Sequence, residues 1–190
     1  GEVRYSIERL EGVAEPGTLI EISSSEIKKD VLEDHAREAM EDVGVGEIVI
    51  NEVYSAPESG QNEFIELLNK SDHSINLSGW YLTEGSNAKT TLSGELLPGN
   101  YLVVEKPKGS LNNAGDIVNL FAPNQWVVDQ LAYGDWNDGN VADNAVLAGI
   151  GTSLVRIPEM HGSDQEEFKV STLITKGAAN VYTPVVVEND

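Results

Sequence analysis

From Glu47 onward the sequence breaks into short β-like runs separated by glycine, proline, asparagine and serine. They are "EIVINEVY", "EFIELLN", "INLSGWYL", "KTTL", "NYLVVE", "DIVNLFA", "QWVVDQLAY", "SLVRI" and "EEFKVS". Nothing between them has helical period. Alternation at period two buries one face of a strand, and closely spaced short strands with turn signals imply an antiparallel sandwich. The chain has 190 residues, 40% of them hydrophobic, which suffices for one good domain plus extensions or for two small domains.

Within this set, "INLSGWYL" (75–82) carries a fault in its alternation. Ile75 and Leu77 share one parity, whereas Trp80 and Leu82 share the other. A one-residue slip is what a β-bulge produces, and glycine is the usual residue there. Ser78-Gly79 is therefore expected to absorb an extra residue and turn Trp80 inward. An indole buries a large area and wants a partner for its N–H, so Trp80 reads as a plug between two sheets.

Ahead of the sandwich, "VRYSIERL" and "GTLIEIS" read as two strands joined by "EGVAEPG", a hairpin with a Pro16-Gly17 turn. Ser23 and Glu26 have capping-box spacing, and Ile27, Val31, Leu32, Ala39, Met40 and Val43 recur at helical spacing. These residues predict an amphipathic helix over 25–43, with Gly44 as its stop. The expected organisation is an N-terminal hairpin and helix extension over 1–46, a sandwich over 47–180 and a strand or tail over 181–190.

Charge narrows the partners. Twelve Lys and Arg against thirty-two Asp and Glu leave a net charge of −20, which repels phosphate and disfavours nucleic acid. Residues 1–47 hold thirteen acids and five bases, so the N-terminal arm is disproportionately acidic. With no cysteine there is no disulfide framework, no thiolate metal site and no cysteine nucleophile. No apolar run approaches the ~18 residues of a membrane helix, so no transmembrane segment is expected.

The order of several pieces resembles the lamin tail domain, an immunoglobulin-like sandwich. They are "IVINEVY" (48–54), "NEFIELLN" (62–69), "INLSGWYL" and "LLPGNYLVVE" (96–105). "GDIVNLFAPNQWVVDQLAYGD" (115–135), "GTSLVRIP" (151–158) and a closing "TKGAAN" (175–180) follow. The resemblance implies an all-β immunoglobulin-like antiparallel sandwich that serves as an interaction module without an active site. In prokaryotes such domains look like accessory or surface units of exported proteins. The closing segment departs from the family's Thr-Pro-Gly, since Lys176 stands where proline is expected, which loosens the predicted end of the domain.

Catalytic patterns are sparse. His35, His73 and His161 are the only histidines, and no H-E-x-x-H or G-x-S-x-G frame occurs. Residues as close as those of "HGSD" (161–164) cannot form a triad geometry. Glu52, Glu63 and Glu66 lie on strands expected to be neighbours, where paired carboxylates could do acid–base work. At least one of them is expected to face solvent, and a satisfied structural carboxylate is the favoured reading. "DWNDGNVADN" (135–144) is the metal candidate, because Asp135, Asn137, Asp138, Asn140 and Asp143 crowd hard oxygens into one loop. Calcium is the ion such ligands suit. The loop is not an EF-hand, and the same residues populate ordinary turns. No catalytic or cofactor-binding residue is assigned; Trp80 and Gly79 are structural. Asn69-Lys70-Ser71 and Asn76-Leu77-Ser78 are glycosylation sequons.

The function expected from these features is that of a noncatalytic structural or interaction protein, secreted or at the cell surface. Its partner would be protein, foremost further copies of itself, with 1–24 or 181–188 lending a strand to a neighbour's sheet edge in a fibre. An intramolecular hairpin is the competing use of those segments. The alternatives are an accessory binding domain of a secreted hydrolase and, more weakly, a metal-dependent hydrolase using Glu52, Glu63 or Glu66.

Overall fold

A computed structural model describes residues 46–158 and 160–182, which lie in a unit spanning Ala39–Asp190. The expected N-terminal hairpin, the helix over 25–43 and all but the first two residues of the 181–190 segment lie outside the described residues.

Eleven strands are present among the described residues. They are β1 (Ile48–Tyr54), β2 (Phe64–Asn69), β3 (Ile75–Asn76), β4 (Tyr81–Thr83), β5 (Thr90–Thr91) and β6 (Glu95–Leu96). β7 (Tyr101–Glu105), β8 (Gly115–Phe121), β9 (Val127–Gly134), β10 (Ser153–Arg156) and β11 (Phe168–Ser171) complete the set. A five-stranded sheet runs β11-β10-β1-β2-β7, and a four-stranded sheet runs β5-β4-β8-β9. A short β3-β6 pair stands beside them. Every pairing of these strands is antiparallel, giving a sandwich of the immunoglobulin type.

The core forms where the two larger sheets meet. Ile48, Ile50, Val53, Ile65, Leu67 and Leu154 come from one sheet, and Leu82, Val118, Leu120, Leu131 and Tyr133 from the other. In β2 the alternation is clean: Ile65 and Leu67 join this core, while Phe64 and Glu66 are buried outside it. β1 is buried along its whole length, so both of its faces are covered. A bulge between Ile50 and Glu52 leaves Asn51 without a partner on β2.

The slip in "INLSGWYL" has another origin than the expected bulge. β3 pairs with β6, whereas β4 belongs to the four-stranded sheet, so the chain changes sheets between them. It does so in a four-residue turn, with the Trp80 N–H donating to the Leu77 carbonyl at 3.1 Å. Gly79 sits third in that turn at φ +87°, the left-handed position a type II turn demands. A β-carbon there would also stand 3.1 Å from Pro123. Parity resets because a new strand begins, and Trp80, only 5% exposed, joins the core.

The helical pieces among the described residues are one turn long. A 3-10 turn covers Val141–Asp143, and a single helical turn, α1, covers Asp164–Glu167. Glu166 and Glu167 therefore belong to α1 and not to the strand expected over "EEFKVS". One turn is too short to show a 3.6-residue period.

Candidate functional site

The outer face of the five-stranded sheet carries a buried polar clasp. Glu52 and Glu66 lie directly opposite each other on β1 and β2. Both are fully buried, and of the three acids only Glu63 is partly exposed to solvent. Uncompensated carboxylates are costly to bury, and hydrogen-bond donors are what make these tolerable. Glu52 accepts from Ser153 Oγ at 2.6 Å, from Thr175 Oγ1 at 2.9 Å and from the Thr175 N–H at 3.2 Å. Glu66 accepts from Asn51 Nδ2 at 2.8 Å and from the Gly177 N–H. Burial pushes the Glu66 carboxyl above the ordinary range; the Gly177 and Asn51 donors pull it back, and the Glu52 charge raises it further.

The same face holds the end of the closing segment. Asn51 and Asn180 exchange side-chain amide hydrogen bonds, each at 3.1 Å. Asn180 Nδ2 also donates to the main-chain carbonyls of Asn51 and Arg156, both at 2.9 Å. "TKGAAN" is thus tied down by its first, third and last residues. The bulge at Asn51 makes this possible, since its unpaired carbonyl is free to accept from Asn180. Lys176 pairs with Glu105 at the surface, and its ammonium stands 5.4 Å from the centroid of the Phe64 ring. Beside it opens a cleft of about 410 Å3, lined by Tyr54, Gln61, Asn62, Phe64, Glu105, Ile174 and Lys176.

A second polar group, unmarked in the sequence reading, joins the two sheets. Arg156 on β10 donates through Nη2 to both oxygens of Asp129 on β9, at 2.9 and 2.7 Å. Its Nε donates to the Ile50 carbonyl at 2.7 Å, and Nη1 pairs with Glu167. Asp129 in turn accepts from the Ile50 N–H at 2.6 Å, and the guanidinium lies 4.5 Å from the Phe168 ring centroid. Burial raises the Asp129 carboxyl, while Arg156 holds it down. The only sequence signal was one charge in each of two apolar strands, which says nothing about their pairing.

Apart from half-buried Trp136 and buried Asn144, the acidic loop 135–144 is exposed, and its side chains serve its own turns. Asn137 Oδ1 accepts from the Gly139 N–H and Asp138 Oδ1 from the Asn140 N–H, each at 3.1 Å. Asn140 binds Asp143, and Asp135 reaches the Ala114 carbonyl through its main chain. The Asn137 and Asp138 bonds are Asx turns. Among the described residues no three His, Cys, Asp or Glu side chains gather as an ion would need. In "HGSD", Ser163 caps α1 in a capping box with Glu166. Asp164 accepts from the Ala132 N–H of β9 at 2.7 Å, and burial pushes its carboxyl up to about 6.

Residues 43–135 match the family model of the Lamin Tail Domain. Residues 43–135 are a lamin-tail-like domain. The lamin tail domain is a noncatalytic, immunoglobulin-like family of binding and structural modules, in keeping with an array of buried carboxylates spent on hydrogen bonds. The match ends just after β9, yet β10 and β11 continue the sheet begun by β1, so the five-stranded sheet is completed by residues beyond the match. No curated protein matches the chain.

Proposed function

We propose that this protein with a lamin-tail-like domain is a noncatalytic structural and interaction unit, working outside the cell or at its surface, whose partner is a further copy of itself. The observation carrying this reading is that both larger sheets end in edge strands whose outer backbone no described strand pairs. Such edges accept an added strand through main-chain hydrogen bonds. The apolar run at 181–188 has a composition suited to such an added strand. Among the described residues no helix is long and apolar enough to cross a membrane.

The hydrolase reading has less support. Glu52 and Glu66 lie beneath Thr175 and Gly177 and accept their hydrogen bonds, which leaves no free carboxylate pair for a substrate. An accessory binding role draws on the stacked Tyr81 and Phe121 rings, 4.6 Å apart on the four-stranded sheet. Light scattering after size exclusion, with negative-stain microscopy, tests self-association. Concentration-dependent growth or fibres is the expected result, and a strictly monomeric full chain overturns it.

A further inference from the structure

Resting on that reading, we infer that β7 is the acceptor edge, and that a lysine cluster at its far end selects an acid-tipped strand, 183–190 of a second copy, added parallel to β7. The other edges are poorly placed to receive one. β5 is two residues long, β9 is bridged by Ala145 and capped by Asp164, and Ser171 at the end of β11 bonds Leu173 and Val181. β7 is five residues long and pairs only with β2 among the described residues.

The ladder shows which of its groups are open. Asn69 N–H donates to the Asn100 carbonyl at 3.1 Å, and Lys106 N–H to the Glu63 carbonyl at 3.0 Å. Hydrogen-bonded and non-bonded pairs alternate between antiparallel strands, so Leu102 and Val104 bond β2 while Tyr101, Val103 and Glu105 direct their N–H and C=O outward. Leu102 and Val104 pack against the core, so a strand laid along β7 would extend that core.

Charge sets the occupant and its direction. Beyond Glu105 the chain crosses toward the other sheet, where Lys108 N–H donates to Thr90 Oγ1 on β5 at 2.8 Å. Lys106 and Lys108 thereby flank the open side of the sandwich, Lys89 follows on the approach to β5, and Lys176 lies beside Glu105. Lys106 and Lys108 follow directly from this end of the edge in a molecule of net charge −20, while Lys176 is paired with Glu105 there and the Lys89 ammonium sits 3.5 Å from the Tyr81 ring centroid on the four-stranded sheet. The segment "PVVVEND" (184–190) is apolar and then acidic. Laid parallel to β7, its valines meet Tyr101 to Val104, and Glu188 and Asp190 reach the lysines. Antiparallel, the acids would lie at Gly99-Asn100, which carry no charge themselves and have the single Lys70, next after Asn69 at the end of the strand opposite.

The test uses the full chain. Val103→Pro removes one outward N–H and no bond to β2, so the fold survives, as its melting temperature will show. It should abolish association, and Lys108→Glu should weaken it at least tenfold, with charge-swap rescue by Glu188→Lys. Because the chain has no cysteine, paired substitutions read the direction. Lys108→Cys with Asn189→Cys should cross-link copies, and Asn100→Cys with Asn189→Cys should not. Association undiminished in a folded Val103→Pro variant overturns β7 as acceptor while leaving self-association standing; cross-linking only through Asn100→Cys overturns the parallel direction. A wild-type chain that stays monomeric ends the underlying reading itself.

Discussion

Glu52 and Glu66 face each other across β1 and β2 with no exposed surface, and no described lysine or arginine pairs with either. Their charge is balanced by N–H and O–H donors from the closing segment and from Asn51 and Ser153. The clasp is therefore a device for holding residues 175–180, and its value should show when an acceptor is removed.

Glu52→Ala strands Ser153 Oγ, Thr175 Oγ1 and the Thr175 N–H in a buried setting. Each orphaned donor carries a desolvation cost, so the variant should lose roughly 2–4 kcal/mol in chemical denaturation. Amide exchange at Thr175 and Gly177 should accelerate more than exchange in β8. Uniform acceleration across both sheets would contradict the clasp's local role.

Asp164 gives a pH dependence with a definite sign. Its carboxyl rises from an ordinary 3.8 to about 6 in the folded protein, because burial disfavours the charge. Between those values the folded state binds more protons than the unfolded one, so this group's contribution to stability falls as pH rises through that window. Asp164→Asn keeps an acceptor for the Ala132 N–H and carries no charge. It should flatten that limb and raise the melting temperature above pH 7 by about 1–3 °C, a modest figure because the group is partly solvated. Parallel curves for the two proteins from pH 4 to pH 8 would count against this account.

The sheet-switching turn and its indole separate in a mutational test. Trp80→Ala empties a core position and should cost roughly 3–5 kcal/mol. Gly79→Ala forces a side chain into left-handed backbone against Pro123 and should cost about 1–2 kcal/mol. A loss below about 1 kcal/mol for Trp80→Ala would mean that the indole is not packed between the sheets.

The two sequons differ in access. Asn69 is fully buried, with its amide donating to the His73 and Leu96 carbonyls at 2.8 Å, whereas Asn76 is exposed and uses only Oδ1, on the Ser78 N–H. Expressed through a glycosylating secretory host, the chain should carry glycan at Asn76 and none at Asn69. Peptide mass mapping decides, and glycan at Asn69 would contradict the buried position.

Much of the fold was legible because period-two burial leaves a mark in the order of residues. The runs "IVINEVY", "FIELLN" and "DIVNLF" became strands, and the lamin tail resemblance rested on those runs in order. The slip before Trp80 was legible too, but its cause was not: a bulge and a turn between two sheets shift parity alike, and only the partners of β3 and β4 tell them apart. Composition likewise flagged the loop 135–144 as oxygen-rich, while backbone geometry turned those oxygens onto their own N–H groups.

What the sequence determined by itself was local: strand period, turn residues and an acidic surface, each set by neighbours a few positions apart. The tertiary structure decided which charges are buried and what satisfies them. Arg156 meets Asp129 across 27 positions, and Glu52 meets Thr175 across 123. Such pairs come together only when the sheets close, and no residue's own pattern records a partner that distant.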